Sequence, residues 1–397
     1  FPVLGGIVLQ LWPAAAQPYR FSNVERVVAI GDVHGAYPEF VQVLKGTGLV
    51  DANLRWQGGR THLVSNGDLF SRGDEALKVV ELLMRLQDEA AAAGGAVHPL
   101  LGNHEVMSLT GDLRYVSPGE FATYATAEGK ARDAAIGARP GYLERMAALA
   151  PDGRIGQWLL QRPVMIVIND ELFVHGGLSD KLAGQTLEQV NASAIRDVRA
   201  FADGWHALIK GGALKPTDDF DRILAVANTL AAVPASATEP PSPLQPSAQA
   251  IVAAVKGLPF QSNGPVWYRG SSVCHPYTES EVAKAALRSL GARRMVVGHT
   301  PTLDHRISLR LEGQVARIDT GMSILVVGCT LIGIRQTFVG LVGLFEHIFG
   351  FFAIRITVRV VLHRQAAVGL LQVCFACATL NTQHFVIVTL CHKSLHS

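Results

Sequence analysis

The chain has 397 residues, 49% of them hydrophobic, with 35 Lys and Arg against 33 Asp and Glu. This near balance excludes the strongly basic face of a nucleic-acid binder, and the length suffices for one large core or two modest ones. Five cysteines, one in the body and four in the tail, exclude a disulfide framework; Cys374 and Cys377 have redox or zinc spacing without a second pair and are read as coincidence.

The chain opens on Phe1 with an apolar run over 3–12, followed by Pro13-Ala14-Ala15-Ala16-Gln17. That order matches the apolar region and small-residue cleavage site of a secretory signal, so residues 1–22 are expected to be a truncated or processed extension. A signal would place the protein outside the cytoplasm or in the periplasm, and its absence would leave it cytoplasmic. The run is too short for a membrane span. From residue 27 onward, short, mostly β-branched runs at 27–30, 62–65, 97–101, 164–168, 172–174, 295–297 and 316–318 predict core strands, each followed by Gly or a polar residue. Residues 74–92 carry apolar side chains at helical spacing and stop at Gly94-Gly95, which makes a strand-helix-strand unit. Two helical insertions are predicted, an alanine-rich one over about 118–160, with turns at Pro140-Gly141 and Pro151-Asp152-Gly153, and another over about 189–262. Residues 234–249, dense in Pro, Ser and Ala, are expected to form a mobile loop within the second insertion.

The chemistry-bearing residues stand where these strands stop. Gly31-Asp32-Val33-His34-Gly35 follows the first run, Asn66-Gly67-Asp68 the second, Gly102-Asn103-His104-Glu105 the third, and His175-Gly176-Gly177 and Gly298-His299-Thr300 follow two later ones. A parallel sheet gathers the carboxyl ends of its strands into one crevice. Asp32, His34, Asp68, Asn103, His175 and His299 make a mixed oxygen and nitrogen donor set, suited to two borderline-hard divalent metals such as manganese, iron or zinc, with no thiolate. A shared carboxylate would hold such ions at the roughly 3.5–4 Å separation of two-metal hydrolysis.

In order, Gly31-Asp-Val-His-Gly35, Gly67-Asp68-x-x-x-Arg72-Gly73, Gly102-Asn-His-Glu105, His175-Gly-Gly177 and Gly298-His299 resemble the signature of calcineurin-like metallophosphoesterases of the phosphoprotein phosphatase type. Asn103-His-Glu-Val-Met107 leading into Gly111-Asp-Leu-Arg-Tyr-Val116 is similar to the Shewanella-like branch. The likeness runs from about residue 26 to 323. It implies an α/β fold, a metallophosphoesterase β-sandwich flanked by helices, with a dinuclear site at the strand carboxyl ends and helical insertions as a lid. It also implies one metal, manganese foremost with iron or zinc as alternatives, on Asp32, His34 and Asp68, and a second on Asp68, Asn103, His175 and His299. Further implications are His104 as general acid, Arg72 as phosphate clamp, and attack on a phosphomonoester by activated hydroxide. The implied substrate is a phosphorylated protein, at Ser/Thr or Tyr, or a small phosphoester.

One position departs from the family pattern. Its commonest form has Asp before the motif arginine, orienting the catalytic histidine, and here Ser71 stands there. Ser supplies no full negative charge, so a weaker general acid is expected unless Asp74 compensates. Arg114 and Arg269 are further candidates for substrate phosphate, and Tyr115 and Trp267 for walls of the site. Two rivals share many of these residues: a symmetrical dinucleoside tetraphosphate hydrolase, against which Glu105 argues because that family usually has Asp there, and a non-catalytic module that keeps its metals. After residue 323 the family pattern breaks. Apolar tracts at 324–334 and 338–354 are expected to be either a frameshifted or unspliced segment of the gene or, alternatively, a membrane hairpin, the only route to membrane association besides the N-terminal run.

Overall fold

A computed structural model of the chain describes residues 19–232 and 242–323, and the backbone of three further strands at Cys329–Arg335, Leu371–Leu380 and Gln383–His392. In chain order the first half contains β1 (Arg20–Phe21), β2 (Arg26–Ile30), α1 (Tyr37–Gly46), β3 (His62–Ser65), α2 (Ala76–Ala92), β4 (Ala96–Pro99) and α3 (Asn103–Leu109). Four short helices follow, α4 (Pro118–Ala122), α5 (Ala127–Ala135), α6 (Tyr142–Leu149) and α7 (Arg154–Leu159), then β5 (Met165–Ile168) and β6 (Glu171–Val174). The second half adds α8 (Leu187–Lys210), α9 (Phe220–Ala231), α10 (Gln245–Ala254), α11 (Gly270–Val273), α12 (Pro276–Ser289), β7 (Arg294–Val297), β8 (Ser308–Arg310) and β9 (Val315–Arg317). The tail strands are β10 (Cys329–Arg335), β11 (Leu371–Leu380) and β12 (Gln383–His392).

Two six-stranded sheets form, ordered β1-β5-β6-β7-β9-β8 and β11-β12-β10-β2-β3-β4. The pleat sends successive side chains to opposite faces, and the sequence uses both. Val27 and Ala29 of β2, Ile166 and Ile168 of β5, Phe173 of β6 and Val296 of β7 share one apolar cluster between the sheets. Their neighbours Val28, Ile30, Met165, Val167, Leu172, Val174, Met295 and Val297 belong to a second cluster, which includes helix residues Phe40, Val43, Leu83, Val190 and Ala283. Strands buried on both faces read as unbroken apolar runs, which is why each was legible. The β-sandwich flanked by helices is thus the fold the motifs implied.

Several expectations change. Arg20 and Phe21 pair in parallel with Val167 and Ile168, so the sandwich begins inside the segment assigned to an extension; residues 1–18 lie outside the described residues. The helix α1, with Phe40, Val43 and Leu44 buried, and α12 were not foreseen. The first insertion is four short helices, broken at Gly141, which adopts φ +89°, and at Gly153, which caps α7. Residues 245–249, assigned to a mobile loop, open α10, whose Ala248 and Ile251 pack with Phe201, Trp205 and Ile223 of α8 and α9. Prolines at N-terminal helix positions are compatible with helix, and alanine-rich composition does not distinguish loop from helix here. The remainder of that loop, 233–241, lies outside the described residues. Of the tail, Cys329–Arg335 pairs antiparallel with β2 instead of leaving the sheet, while 338–354 lies outside the described residues. Cys374 and Cys377 both fall in β11. Among the described residues no helix is long and apolar enough to cross a membrane.

Candidate active site

The carboxyl ends of β2, β3, β4, β6 and β7 meet at one place. Asp32 leaves β2 and accepts the backbone N–H of His299, which follows β7, on both oxygens at 3.0 and 3.1 Å. Asn66, after β3, donates to the Val174 carbonyl at the end of β6 at 3.0 Å, and its own carbonyl accepts His175 Nδ1–H at 2.8 Å. These bonds cross between the sheets, so the sandwich itself sets the spacing of the site. Two glycines let it close: a Cβ at Gly102 would meet Asp68 Oδ1, and one at Gly298 would meet Asp32 Oδ1.

Five non-glycine residues here have left-handed backbones: His34 (φ 47°), Asp68 (55°), Ser71 (69°), Arg72 (67°) and His299 (63°). Such conformations cost about 1–3 kcal/mol each and persist only where surrounding structure enforces them. Enforcement is visible at Asp68. Its carbonyl accepts the N–H groups of Val33 and His34 at 3.0 and 2.8 Å. Glu105 accepts the N–H groups of Asp68, Leu69 and Gly102, each at 2.7 Å, and so knots the β3 and β4 loops together at the start of α3. Burial and the nearby Asp68 push the Glu105 carboxyl up to about 7 against the pull of these donors.

Around Asp68 the side chains converge. Its Oδ2 lies 3.4 Å from His34 Nε2 and 3.8 Å from His104 Nε2, and its Oδ1 lies 3.2 Å from His175 Nε2. His175 Nε2 also lies 3.0 Å from Asn103 Oδ1. His34, Asp68 and His104 form one group able to hold a cation, and Asp68, His175 and His299 another, all buried. His34 Nδ1–H donates to the Phe70 carbonyl at 2.8 Å, which leaves Nε2 as the free donor atom. That Nε2 and His299 Nε2 are buried without a hydrogen-bond partner. Orphaned imidazole nitrogens facing carboxylates are what metal ligands look like before the metal is added.

The electrostatics agree. Burial works against charge on His175, but Asp68 and Asp32 push it up to about 10. Burial would raise Asp68, yet His175, His104 and His34 hold it well below the usual carboxylate range. Burial lowers His34 to about 3 and His299 to about 2, and lowers His104 as well. The cluster therefore demands positive charge at its centre and draws it from a His175 proton, a demand two divalent cations fit better.

On the rim, Arg72 is exposed and its charge reaches both His34 and His104. Tyr115 lies 5.4 Å from the His104 ring and accepts the Arg72 N–H on its carbonyl at 2.8 Å, while Trp267 meets the His299 ring edge-on at 5.9 Å. Arg269 donates to the His299 carbonyl at 2.7 Å and to Thr300 Oγ1 at 3.1 Å, which fixes it at the rim. Arg114 is instead clamped by the buried Asp112 through three contacts of 2.5–3.1 Å. Asp74 accepts from Ser117 Oγ at 2.6 Å at the start of α4, and the carboxylates that pull His104 upward are Asp68 and, less strongly, Asp112. Beside Met107 and Trp267, the ends of α9 and α10 help to enclose an apolar cleft of about 430 Å³ lined by Phe220, Leu224, Val255 and Phe260.

Sequence reasoning missed the anchor of the Arg72 loop. Ser71 N–H donates to Glu120 Oε2 at 2.7 Å, Glu120 Oε1 takes Arg145 at 2.7–2.8 Å, and Arg145 donates to Ser108 Oγ of α3 at 3.0 Å. Both charges are buried, Arg145 at 2% exposure. Two oppositely charged residues 25 positions apart in separate helices carry no sequence signal for such a pair.

Residues 25–303 match the calcineurin-like phosphoesterase family, and the chain belongs to it: it is a hydrolase of the metallophosphoesterase class. It is 30% identical over 334 residues to Shewanella-like protein phosphatase 2 of Arabidopsis thaliana, covering 77% of this chain and 73% of that one. To Shewanella-like protein phosphatase 1 of Plasmodium berghei it is 24% identical over 313 residues, covering 77% and 70%. Among solved structures it resembles the cold-active protein-tyrosine phosphatase of a psychrophilic Shewanella species, with a TM-score of 0.56, 28% identity and 80% of each chain covered. The resemblance read from the motifs therefore stands, and phosphorylated compounds are the substrate class.

Proposed function

We propose that the chain is a two-metal phosphomonoesterase acting on phosphorylated proteins, with phosphotyrosine preferred. The observation that carries this reading is the gathering of His34, His104, His175 and His299 around the Asp68 carboxylate at the strand ends. In it, Asp32, His34 and Asp68 would hold one divalent ion, and Asp68, Asn103, His175 and His299 the other, manganese foremost among metals that accept nitrogen and oxygen together. When bound, such ions supply Lewis-acid charge to phosphate oxygens and acidify a coordinated water.

The chain's own residues do the rest. Arg72 and Arg269, exposed at the rim, draw in and orient the phosphate through forked donors. Arg114, shared with Asp112, would contact substrate at the outer edge. His104 delivers a proton to the departing oxygen, and Tyr115 and Trp267 wall the site. Burial lowers His104 against the pull of Asp68 and Asp112, and Ser71 adds no charge beside Arg72, so protonated His104 is scarce near neutral pH. A tyrosyl phenolate, with a pKa of about 10, leaves with little help, whereas an alkoxide does not. The apolar cleft next to Trp267 suits a substrate presenting an aromatic or aliphatic surface.

The test is a comparison of kcat/KM on phosphotyrosine and phosphoserine peptides and on diadenosine tetraphosphate, with manganese-loaded wild type and Ser71→Asp. The expected outcome is tyrosine preference in the wild type, narrowed about tenfold by the substitution as the new carboxylate supports protonated His104 and extends the alkaline limb. The left-handed backbone at Ser71 tolerates Asp. Equal rates on both peptides would refute the preference, and a dominant rate on the nucleotide would refute the substrate class.

A further inference from the structure

One buried acid at the site has no part in the proposed ligand set. Asp319 follows β9, the strand beside β7, and is 2% exposed. Its position is built with care. Thr302 donates to its carbonyl from N–H at 2.9 Å and from Oγ1 at 3.3 Å, and Gly321 N–H donates to Oδ1 at 2.9 Å. Oδ2, by contrast, is buried with no donor. The Asp319 carboxyl lies within hydrogen-bonding reach of the Asp32 carboxyl, and a Cβ at Gly31 would meet the Ile318 carbonyl oxygen at 2.5 Å and the Asp319 nitrogen at 3.2 Å, so the two strand ends are in contact. Its field also reaches Asp68 and His175. Two buried carboxyls pressed together, one with a free oxygen, are a costly arrangement unless a cation joins them.

We propose that Asp319 is a third carboxylate of the metal centre, serving through Oδ2 the ion held by Asp32 and His34. This rests on the ligand assignment made above. That assignment gives the Asp32 side one imidazole and the other side two imidazoles and an amide, so the Asp32 side has fewer protein donors. Asp32 and Asp68 neutralise half the charge of two divalent ions, and Asp319 narrows the deficit where donors are fewest. The neighbouring strand delivers it as the others deliver theirs, at a carboxyl end.

The test uses the full chain stripped of metal by chelator, as wild type and as Asp319→Asn, which keeps an acceptor for Gly321 and offers an amide donor to Asp32. Equilibrium dialysis against graded Mn²⁺ with metal analysis gives the two affinities, and the melting temperature is measured without metal. The expected variant binds one ion as before and the other at least roughly tenfold more weakly. Its metal-free form melts higher than metal-free wild type, because the carboxyl contact is gone. Two unchanged affinities would overturn the proposal, and so would a lower metal-free melting temperature with both affinities reduced, the mark of a purely structural acid. Should Asp319→Asn fail to fold, Asp319→Ser takes its place under the same criteria. A wild type that binds no Mn²⁺ would remove the ligand assignment and this proposal with it, a result distinct from either of the others.

Discussion

The sandwich and the helical insertion between β4 and β5 both reach the active site, and they hold it by different means. The sandwich presents Asp32, His34, Asp68, His175 and His299 from strand ends held by the backbone ladders within each sheet and joined across the sheets by bonds between side chain and backbone, such as His299 N–H to the Asp32 carboxylate and the Asn66 amide to the Val174 carbonyl. The insertion supports the Arg72 loop through one chain of side chains, Glu120 to Arg145 to Ser108. A ladder of backbone bonds shares its load over many residues, whereas a single buried ion pair concentrates it. The metal side should therefore fail when a ligand, or the Glu105 that holds the Asp68 loop, is removed, and the substrate side when a remote support is removed.

The largest expected effect tests the first half of that contrast. Asp68→Ala should lower manganese-dependent turnover of an aryl phosphate by at least roughly a thousandfold, since bound metals contribute several kcal/mol and each ~1.36 kcal/mol is tenfold. Near wild-type turnover in the purified variant would mean that Asp68 is not the shared centre. The second half is tested by Glu120→Ala, which strands Arg145 and should cost about 3–5 kcal/mol in denaturant unfolding. Replacing the pair together, as Glu120→Leu with Arg145→Met, should recover most of that stability. It should still leave kcat/KM reduced, because Ser71 N–H has lost its acceptor. Full recovery of both would make the pair a matter of stability alone and erase the distinction.

A smaller effect lies away from both regions, in His98 and His62, whose ring nitrogens sit 3.0 Å apart beside Phe21. Burial, then His62 and Arg162, lowers His98 to about 3. As pH falls below about 6.5, the unfolded chain binds a proton there that the folded chain refuses until about pH 3. Stability from this group is thus present above pH 6.5 and lost progressively below it. His98→Gln should flatten the decline between pH 6.5 and 5 by about 1 kcal/mol after allowing for partial exposure, read from unfolding curves at matched metal loading. An unaltered slope would place the acid sensitivity in the metal centre instead.

What could be read from sequence follows the same division. Asp32, Asp68 and His299 were visible because a β-branched run, a glycine and a ligand-type residue recur together, and the backbone does the positioning. Asp319 ends a run of the same kind, 316–318, but it stands at the boundary where the family pattern breaks and drew no role. The short β1 has no periodicity to detect, and α10 has the composition of a linker. Glu120 and Arg145 look like solvated helix charges, and only the packing of α4 and α6 brings them together.

The left-handed backbones at His34, Asp68 and His299 bear on how such a chain would respond to laboratory evolution. Glycine is relaxed where these residues are strained, so each is a site at which discarding the side chain releases backbone energy of about 1–3 kcal/mol. A library selected only for heat resistance or expression would be drawn to these positions early and would gain robustness by dismantling the catalyst. Hardening this scaffold therefore calls for a screen that scores turnover in every round, or for a library that keeps the strand-end loops fixed from the start.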